Sequence, residues 1–153
     1  MSSWFGWIFS DPLPAGGVAP DFTLADDGGH SVSLTSLHGQ NVLLVFYPGD
    51  DTPGCTKQLC QMRDNWDRLK AAGVRVFGVN PQGAKSHDSF RQKYKLPFPL
   101  LVDQGQKVAE LYHANGLFVK RTVYLIGADG KIRFSRRGAP PPDEVLAALN
   151  RKV

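Results

Sequence analysis

The stretch of sequence that decides the fold is "NVLLVFYPGDDTPGCTKQLC", residues 41–60. After Asn41, six apolar residues run without interruption, which is typical of a β-strand covered on both faces. A loop of Pro, Gly, Asp and Thr follows, and the apolar spacing after the loop is that of a helix. A buried strand that leads directly into a helix predicts an α/β architecture.

Strands and helices alternate along the rest of the chain. "VRVFGVN" (74–80) and "FPLLVD" (98–103) predict two more buried strands, and Asp129-Gly130 marks the turn of a closing hairpin. "DFTLADDGGHSVSL" (21–34) predicts an N-terminal hairpin. We therefore expect a three-layer sandwich, in which a central mixed β-sheet carries helices on both faces. The helices are predicted over residues 53–72, 85–94, 106–111 and 142–150.

The composition is that of one globular domain. The chain has 153 residues, 42% of them hydrophobic, and this length is enough to bury a core. Its net charge of +4 comes from scattered basic residues, so we expect no nucleic-acid partner. No apolar run approaches the roughly 18 residues that a membrane span needs.

The N-terminal residues "MSSWFGWIFS" carry five large apolar side chains. They lack the leading basic residues of a secretory signal, so we expect a cytoplasmic protein. We divide the chain into an aromatic arm with its linker (1–16) and one domain (17–153). The arm is expected to pack on its own domain or across a dimer, and contact with a membrane surface is the weaker alternative. A monomer is expected, with the arm as the route to any dimer.

Cys55 lies at the start of the predicted helix. Thr52 suits the N-cap and Pro53 suits the first helical position, which puts Cys55 in the first turn. Unpaired backbone N–H groups and the positive end of the helix dipole surround that position. Such surroundings favour a thiolate, which is the nucleophilic form of cysteine. The position also suits a buried, inert cysteine.

Cys60, the only other cysteine, lies five residues further along the same helix. Five residues turn a helix through about 140° and rise about 7.5 Å. A disulfide needs Cα atoms within about 7 Å and Cβ atoms that face each other. Within an intact helix the two sulfurs therefore cannot bond, so a Cys55–Cys60 disulfide would require the first helical turns to unwind.

These residues resemble a known family. The pattern Pro48, Thr52, Cys55 is similar to the active-site segment of peroxiredoxins, and a second cysteine five residues on resembles the peroxiredoxin Q subfamily, also called bacterioferritin comigratory proteins. The similarity covers about residues 17–150 and includes "APDFTLADDGG", "LPFPLLVD" and Arg121-Thr122. It implies a thioredoxin-like fold and an atypical two-Cys peroxidase for hydrogen peroxide and organic hydroperoxides.

The resemblance also assigns roles to individual residues. Cys55 would be the peroxidatic cysteine and Cys60 the resolving cysteine, joined after oxidation in an intramolecular redox-active disulfide. Thr52, Arg121 and the backbone N–H groups of Gly54 and Cys55 would bind the peroxide. Pro48 would shield the oxidised sulfur from solvent.

The same resemblance implies that thioredoxin or a glutaredoxin-like protein reduces the enzyme, with no cofactor. Metal-ligand spacing is missing from His38, His87 and His113, so no metal is expected.

Several residues have a plainer interpretation. From spacing alone Arg121 would be a surface strand residue, His87 an exposed helical histidine, and Asp50 and Asp51 solvated loop carboxylates. The chain also departs from the family at Gly49, at Gly127 and in "VNPQGAK", which bears on the surface for the reductant.

Two other function classes stay open. The chain could exchange thiols with disulfides of other proteins, although a Cys-x4-Cys spacing differs from the usual Cys-x-x-Cys. It could also be a non-enzymatic interaction module that uses the aromatic arm.

Overall fold

The computed structural model describes residues 11–150. They form seven strands and five α-helices, with two short 3-10 turns. The strands are β1 (Thr23–Ala25), β2 (Ser31–Ser33), β3 (Asn41–Phe46), β4 (Val74–Asn80), β5 (Leu100–Val102), β6 (Thr122–Ile126) and β7 (Ile132–Arg137). The helices are α1 (Pro53–Asp64), α2 (Trp66–Ala71), α3 (Ala84–Tyr94), α4 (Lys107–Leu111) and α5 (Pro142–Ala148).

Five strands form the central sheet in the order β5-β4-β3-β6-β7. Strands β3, β4 and β5 are parallel, whereas β6 and β7 run antiparallel to their neighbours. Strands β1 and β2 form a separate two-stranded hairpin, as predicted. The sheet is therefore mixed, and its central strand is the apolar run that follows Asn41.

Alternating side chains of the sheet divide the core into two layers. On one face, residues such as Leu44 and Tyr124 pack with α4 and the segments around the N-terminal hairpin. On the other face, residues such as Leu43 and Leu125 pack with α1, α2, α3 and α5. This arrangement confirms the predicted sandwich with helices on both faces.

The single helix predicted over residues 53–72 is wrong, because it is interrupted at Asn65. Asn65 has φ −109° and ψ 17°, and it separates α1 from α2. Its side-chain Nδ2 donates to the carbonyl of Gln61 at 2.9 Å. Asparagine side chains compete with backbone groups for such bonds, which weakens a helix interior and favours an end.

Residues 11–16 lie against the domain. The backbone N–H of Leu13 donates to the Tyr124 hydroxyl at 2.8 Å, and that of Gly16 donates to the Ile132 carbonyl at 2.7 Å. The aromatic residues of the arm lie outside the described residues, so the division of the chain at residue 16 stays a prediction. Within residues 11–150, no helix is both long and apolar enough to cross a membrane.

Gly78 lies in the interior of β4, and because it has no side chain, two neighbouring side chains pack directly against the strand there. A Cβ atom at this position would lie 2.6 Å from Leu100 Cδ2 and 3.0 Å from Tyr47 Cε1. We expect Gly78→Ala to lower the free energy of unfolding by about 1–3 kcal/mol, because the core must shift to admit the methyl group. Denaturant titration measures the change.

Gly17→Ala is the matched control for this substitution. Its Cβ would meet only the Pro14 carbonyl oxygen, at an ordinary 3.6 Å, so the change should stay within about 0.5 kcal/mol. Equal effects of the two substitutions would contradict the close approach at Gly78.

Candidate active site

The register of the sheet brings the two ends of the candidate site together. Phe46, the last residue of β3, pairs with Thr122, the first residue of β6. Arg121 therefore lies beside the loop that leaves β3. Asn80 ends the parallel neighbour β4 at the same edge. The carboxyl ends of parallel strands are where α/β sheets usually place their sites.

Cys55 occupies the first turn of α1, as predicted. Only 1% of its surface is exposed, and its sulfur accepts a hydrogen bond from Arg121 Nη2 at 3.3 Å. The first backbone hydrogen bond of the helix runs from Thr56 N–H to the Thr52 carbonyl. The N–H groups of Gly54 and Cys55 precede it and have no acceptor one turn earlier within the helix. The thiol thus lies among fixed donors.

Gln58 holds the guanidinium of Arg121. Its amide oxygen accepts from Arg121 Nη1 at 2.7 Å, and only 2% of the residue is exposed. A Cβ atom on Gly54 would lie 3.2 Å from Arg121 Nη2, so the guanidinium rests against a residue without a side chain. Gln58 is not among the site residues predicted from the sequence. Its spacing of three residues from Cys55, which places both on one helix face, was the available signal.

Thr52 is the N-cap residue, with extended φ −90° and ψ 151°, but it makes no side-chain capping bond. Its hydroxyl donates to the carbonyl of Gly49 at 3.0 Å instead. The hydroxyl hydrogen is therefore used within the loop, and the oxygen keeps its lone pairs for an incoming O–H group. Pro48 lies half-buried in the same loop.

Cys60 is half-buried, and both cysteines are free thiols. Helix α1 is continuous from Pro53 to Asp64 and therefore contains both of them. The structure is thus the dithiol form, in which the helix itself keeps the two side chains on different sides.

Asp50 and His87 correct the plainer interpretation, because neither is exposed to solvent. The side chain of Asp50 is 3% exposed and that of His87 is fully buried. The Asp50 carboxylate accepts bonds from the Tyr47 hydroxyl at 2.5 Å, Asn80 Nδ2 at 3.1 Å, the Ser86 hydroxyl at 2.7 Å and His87 Nδ1 at 2.7 Å. The loop before α1 is thereby anchored to β4 and α3.

The pKa values of this cluster follow from burial and hydrogen bonding. Desolvation raises the pKa of the Tyr47 hydroxyl well above its usual value, and the neighbouring Asp50 charge adds to the rise. Desolvation also acts to raise the pKa of Asp50. Hydrogen bonds from His87, Tyr47 and Ser86 outweigh it, so the pKa of Asp50 is lowered. Asp50 is therefore a buried carboxylate.

Asp51 is exposed but not free, which also corrects the plainer interpretation. Its carboxylate accepts from Lys93 Nζ at 2.8 Å and from the Tyr94 hydroxyl at 2.7 Å. These two bonds lower the pKa of Asp51, and the bond from Lys93 has the larger effect. Its φ of 58° lies in the left-handed region, which few residues other than glycine adopt. Two adjacent aspartates thus join the loop to the same helix, α3.

No group of three or more histidine, cysteine or acidic residues able to hold a metal ion occurs within residues 11–150.

Comparisons with known proteins show which family the chain resembles. A family model described as the AhpC/TSA family matches residues 15–135. A putative peroxiredoxin bcp of Coxiella burnetii is 45% identical over 132 residues, which cover 78% of this chain and 85% of that protein. The crystal structure of peroxidoxin BcpB from Mycobacterium tuberculosis has a TM-score of 0.85 at 29% identity, and the match covers 92% of this chain and 99% of that one.

A plant relative is longer than this chain. The putative peroxiredoxin Q, chloroplastic, of Oryza sativa subsp. indica is 43% identical over 134 residues, which cover 83% of this chain but only 60% of that protein. The structural match supports the expected thioredoxin-like fold, and the names of the relatives agree with the resemblance found in the sequence. The chain belongs to the AhpC/TSA family, in its peroxiredoxin Q and bcp group.

Proposed function

We propose that this protein is a thiol peroxidase that reduces hydrogen peroxide and organic hydroperoxides at Cys55. The observation that carries the proposal is the buried Cys55 sulfur, which lies in the first turn of a helix with a guanidinium nitrogen of Arg121 at 3.3 Å. A positive charge and the N–H groups of a helix start surround one sulfur, and these donors suit the binding of a polar, neutral peroxide.

The first step is a displacement at oxygen. The Cys55 thiolate attacks one peroxide oxygen, a sulfur–oxygen bond forms, and the oxygen–oxygen bond breaks. Cys55 becomes a sulfenic acid, while the leaving oxygen takes a proton and departs as water or an alcohol. Negative charge moves from sulfur to the leaving oxygen in this step, so donors fixed around both atoms stabilise the transition state.

The described residues suit distinct parts of that step. Arg121 lies against Gly54 and donates to the sulfur. Its planar guanidinium carries several N–H donors, so it can stabilise the negative charge as that charge moves from sulfur to oxygen. The N–H groups of Gly54 and Cys55 donate to the peroxide oxygens. The oxygen of Thr52, whose hydrogen is bonded to Gly49, accepts the peroxide O–H. Pro48 shields the sulfenic acid from solvent.

Cys60 completes the proposed cycle. Its thiol attacks the Cys55 sulfenic acid, a disulfide forms and water leaves. Because α1 contains both residues, its first turns must unwind for the sulfurs to meet. An external dithiol, from thioredoxin or a glutaredoxin-like protein, then returns two electrons by exchange. A cytoplasmic setting and a monomeric enzyme are parts of this proposal.

A mass spectrum after one equivalent of hydrogen peroxide tests the cycle. We expect the intact chain to lose two hydrogens, as a Cys55–Cys60 disulfide requires. Cys60→Ser should instead gain one oxygen and stop after about one turnover, because its sulfenic acid has no resolving thiol. Retention of both thiols after peroxide treatment would contradict the proposal. A doubled mass in the absence of reductant would show that the disulfide forms between two chains and not within one chain.

A further inference from the structure

Two large apolar side chains close to Arg121 in the sequence are exposed to solvent. Leu117 is 93% exposed and Phe118 is 73% exposed. They lie in the segment that joins α4 to β6, four and three residues before Arg121. Single exposed apolar residues are ordinary on a protein surface, but two adjacent ones of this size form an apolar patch that an apolar partner can cover.

The loop that carries the apolar patch is held at its base. Lys120 N–H donates to the Ala114 carbonyl at 2.7 Å. The Gln106 side chain also binds the loop, because its Nε2 donates to the Gly116 carbonyl at 3.0 Å and its Oε1 accepts from the Gly116 N–H at 3.1 Å. The patch therefore lies at the tip of a loop that its own hydrogen bonds close.

The described N-terminal segment crosses the sheet in one direction. At Gly16 it bonds to Ile132, which pairs with the last residue of β6. At Leu13 its N–H donates to the hydroxyl of Tyr124, a residue in the middle of β6. Followed from Gly16 back toward its start, the segment therefore runs toward the edge of the sheet where β6 begins and where Arg121 lies.

Asp11, the first described residue, reaches the base of the loop. Its carbonyl oxygen accepts from Nδ1 of His113 at 3.1 Å. His113 directly precedes the loop, and its own carbonyl accepts from Arg137, which pairs with Thr122, the first residue of β6. The chain thus arrives at the active-site edge of the sheet, beside the loop that carries the apolar patch.

The ten residues before Asp11, "MSSWFGWIFS", contain no charged side chain. Three of their large apolar side chains lie two to four residues before Asp11, namely Trp7, Ile8 and Phe9. A chain spans at most about 3.3–3.6 Å per residue, so these three can reach about 7–14 Å from Asp11. Leu117 is four residues from His113 and therefore lies within about 14 Å of it. The arm is long enough to cover the patch.

We propose that the aromatic arm, residues 1–10, docks on the apolar patch of Leu117 and Phe118 in the same chain. The loop that carries the patch leads directly into Arg121, so the docked arm borders the candidate active site. This proposal concerns the surface beside the site and does not rest on the proposed peroxidase function.

The size of the patch favours a tethered partner over a separate one. Two side chains present at most a few hundred Å², whereas stable interfaces between separate chains bury about 1,200 Å² or more. The arm is joined to the domain at Asp11, so it meets the patch at a local concentration on the order of millimolar. It also loses little translational freedom when it docks. A second copy of the chain lacks both advantages.

Tryptophan fluorescence tests the docking in the full-length chain. The chain has three tryptophans, and Trp66→Phe leaves Trp4 and Trp7 of the arm as the only ones. In that background we expect acrylamide to quench the fluorescence weakly. Leu117→Ser combined with Phe118→Ser removes the patch, so it should raise the quenching constant and shift the emission maximum to longer wavelength.

Val18→Ser is the matched control for the loop substitutions. Val18 is also an exposed apolar residue, at 76%, but it pairs with Lys131 at the other end of the sheet. We expect neither the quenching constant nor the emission maximum to change in this variant. Equal effects of the loop and control substitutions would overturn the proposal, and so would tryptophans that are readily quenched before the patch is removed.

Hydrogen exchange of the loop is the reciprocal test. Trp7→Ser combined with Phe9→Ser should raise amide exchange in residues 114–120, because the loop loses its cover. The exchange of β3, which lies in the centre of the sheet, should stay as in the wild-type protein. Unchanged exchange in residues 114–120 would overturn the proposal whatever the fluorescence shows.

The dependence on protein concentration identifies the occupant of the patch. We expect a monomer in sedimentation, with tryptophan quenching that is the same at every concentration. Protection that appears only together with a dimer would assign the patch to the arm of a second copy. Protection that appears only with phosphatidylglycerol vesicles would assign the arm to a membrane surface. Either result would overturn docking within one chain, and neither depends on whether Cys55 reacts with peroxide.

Discussion

Cys55→Ser is expected to abolish peroxide consumption. Serine keeps the size of the buried side chain and an oxygen that can accept from Arg121, so the fold should survive the change. A serine hydroxyl is nonetheless a poor nucleophile toward peroxide unless a general base removes its proton, and the proposed mechanism assigns no described residue to that task. Removal of the nucleophile in other covalent enzymes costs on the order of 10⁶ in rate.

The measurement is hydrogen peroxide loss in the presence of a dithiol reductant, with thermal unfolding to verify the fold. Cys60→Ser is the control, because it retains the attacking thiol and should consume about one equivalent of peroxide before it stops. Full activity in Cys55→Ser would refute the assignment of the site.

Arg121→Met is expected to slow the oxidation of Cys55 by about 10²–10³-fold, the usual cost of one fixed donor to a developing charge. Methionine keeps much of the length of the side chain but removes the charge and both N–H contacts, to Cys55 and to Gln58. Arg121→Lys should recover part of the rate, because it restores the charge without the rigid fork.

Stopped-flow measurement of the second-order rate with hydrogen peroxide checks this prediction. Arg68→Met is the matched control, because Arg68 is half-exposed and pairs with Asp143 on the surface at 2.6 Å. The rate should not change in that variant. Equal losses of rate in the two variants would mean that Arg121 affects the reaction only by stabilising the fold.

The sequence predicts the elements of this fold well, because its strands are continuous apolar runs and its turns carry Gly, Asp and Pro. It predicts the interruption at Asn65 poorly. The stripe of Cys55, Leu59, Met62 and Leu69 keeps helical spacing through that point, and all four residues are buried. The Asn65 side chain bonds to the Gln61 carbonyl at this point, and periodicity does not report such a bond.

The site, like the fold, can be predicted from the sequence only in part. The environment of Cys55 follows from local sequence, but Arg121 lies 66 residues away and enters only through the pairing of Phe46 with Thr122. No spacing rule gives that register, so the resemblance to a family was needed. His87 offered a local signal that was overlooked, because it lies three residues before buried Phe90 on one face of α3.

In the proposed cycle, the break at Asn65 limits how much of the molecule must open after Cys55 is oxidised. Unwinding from Pro53 to Cys60 involves eight of the twelve residues of α1. The remainder is one turn, too short to persist on its own, but α2 begins afresh at Trp66 and is held by buried Leu69. The cooperative unit therefore ends at Asn65. The sheet and α2 can stay folded as a template on which α1 re-forms once the disulfide is reduced.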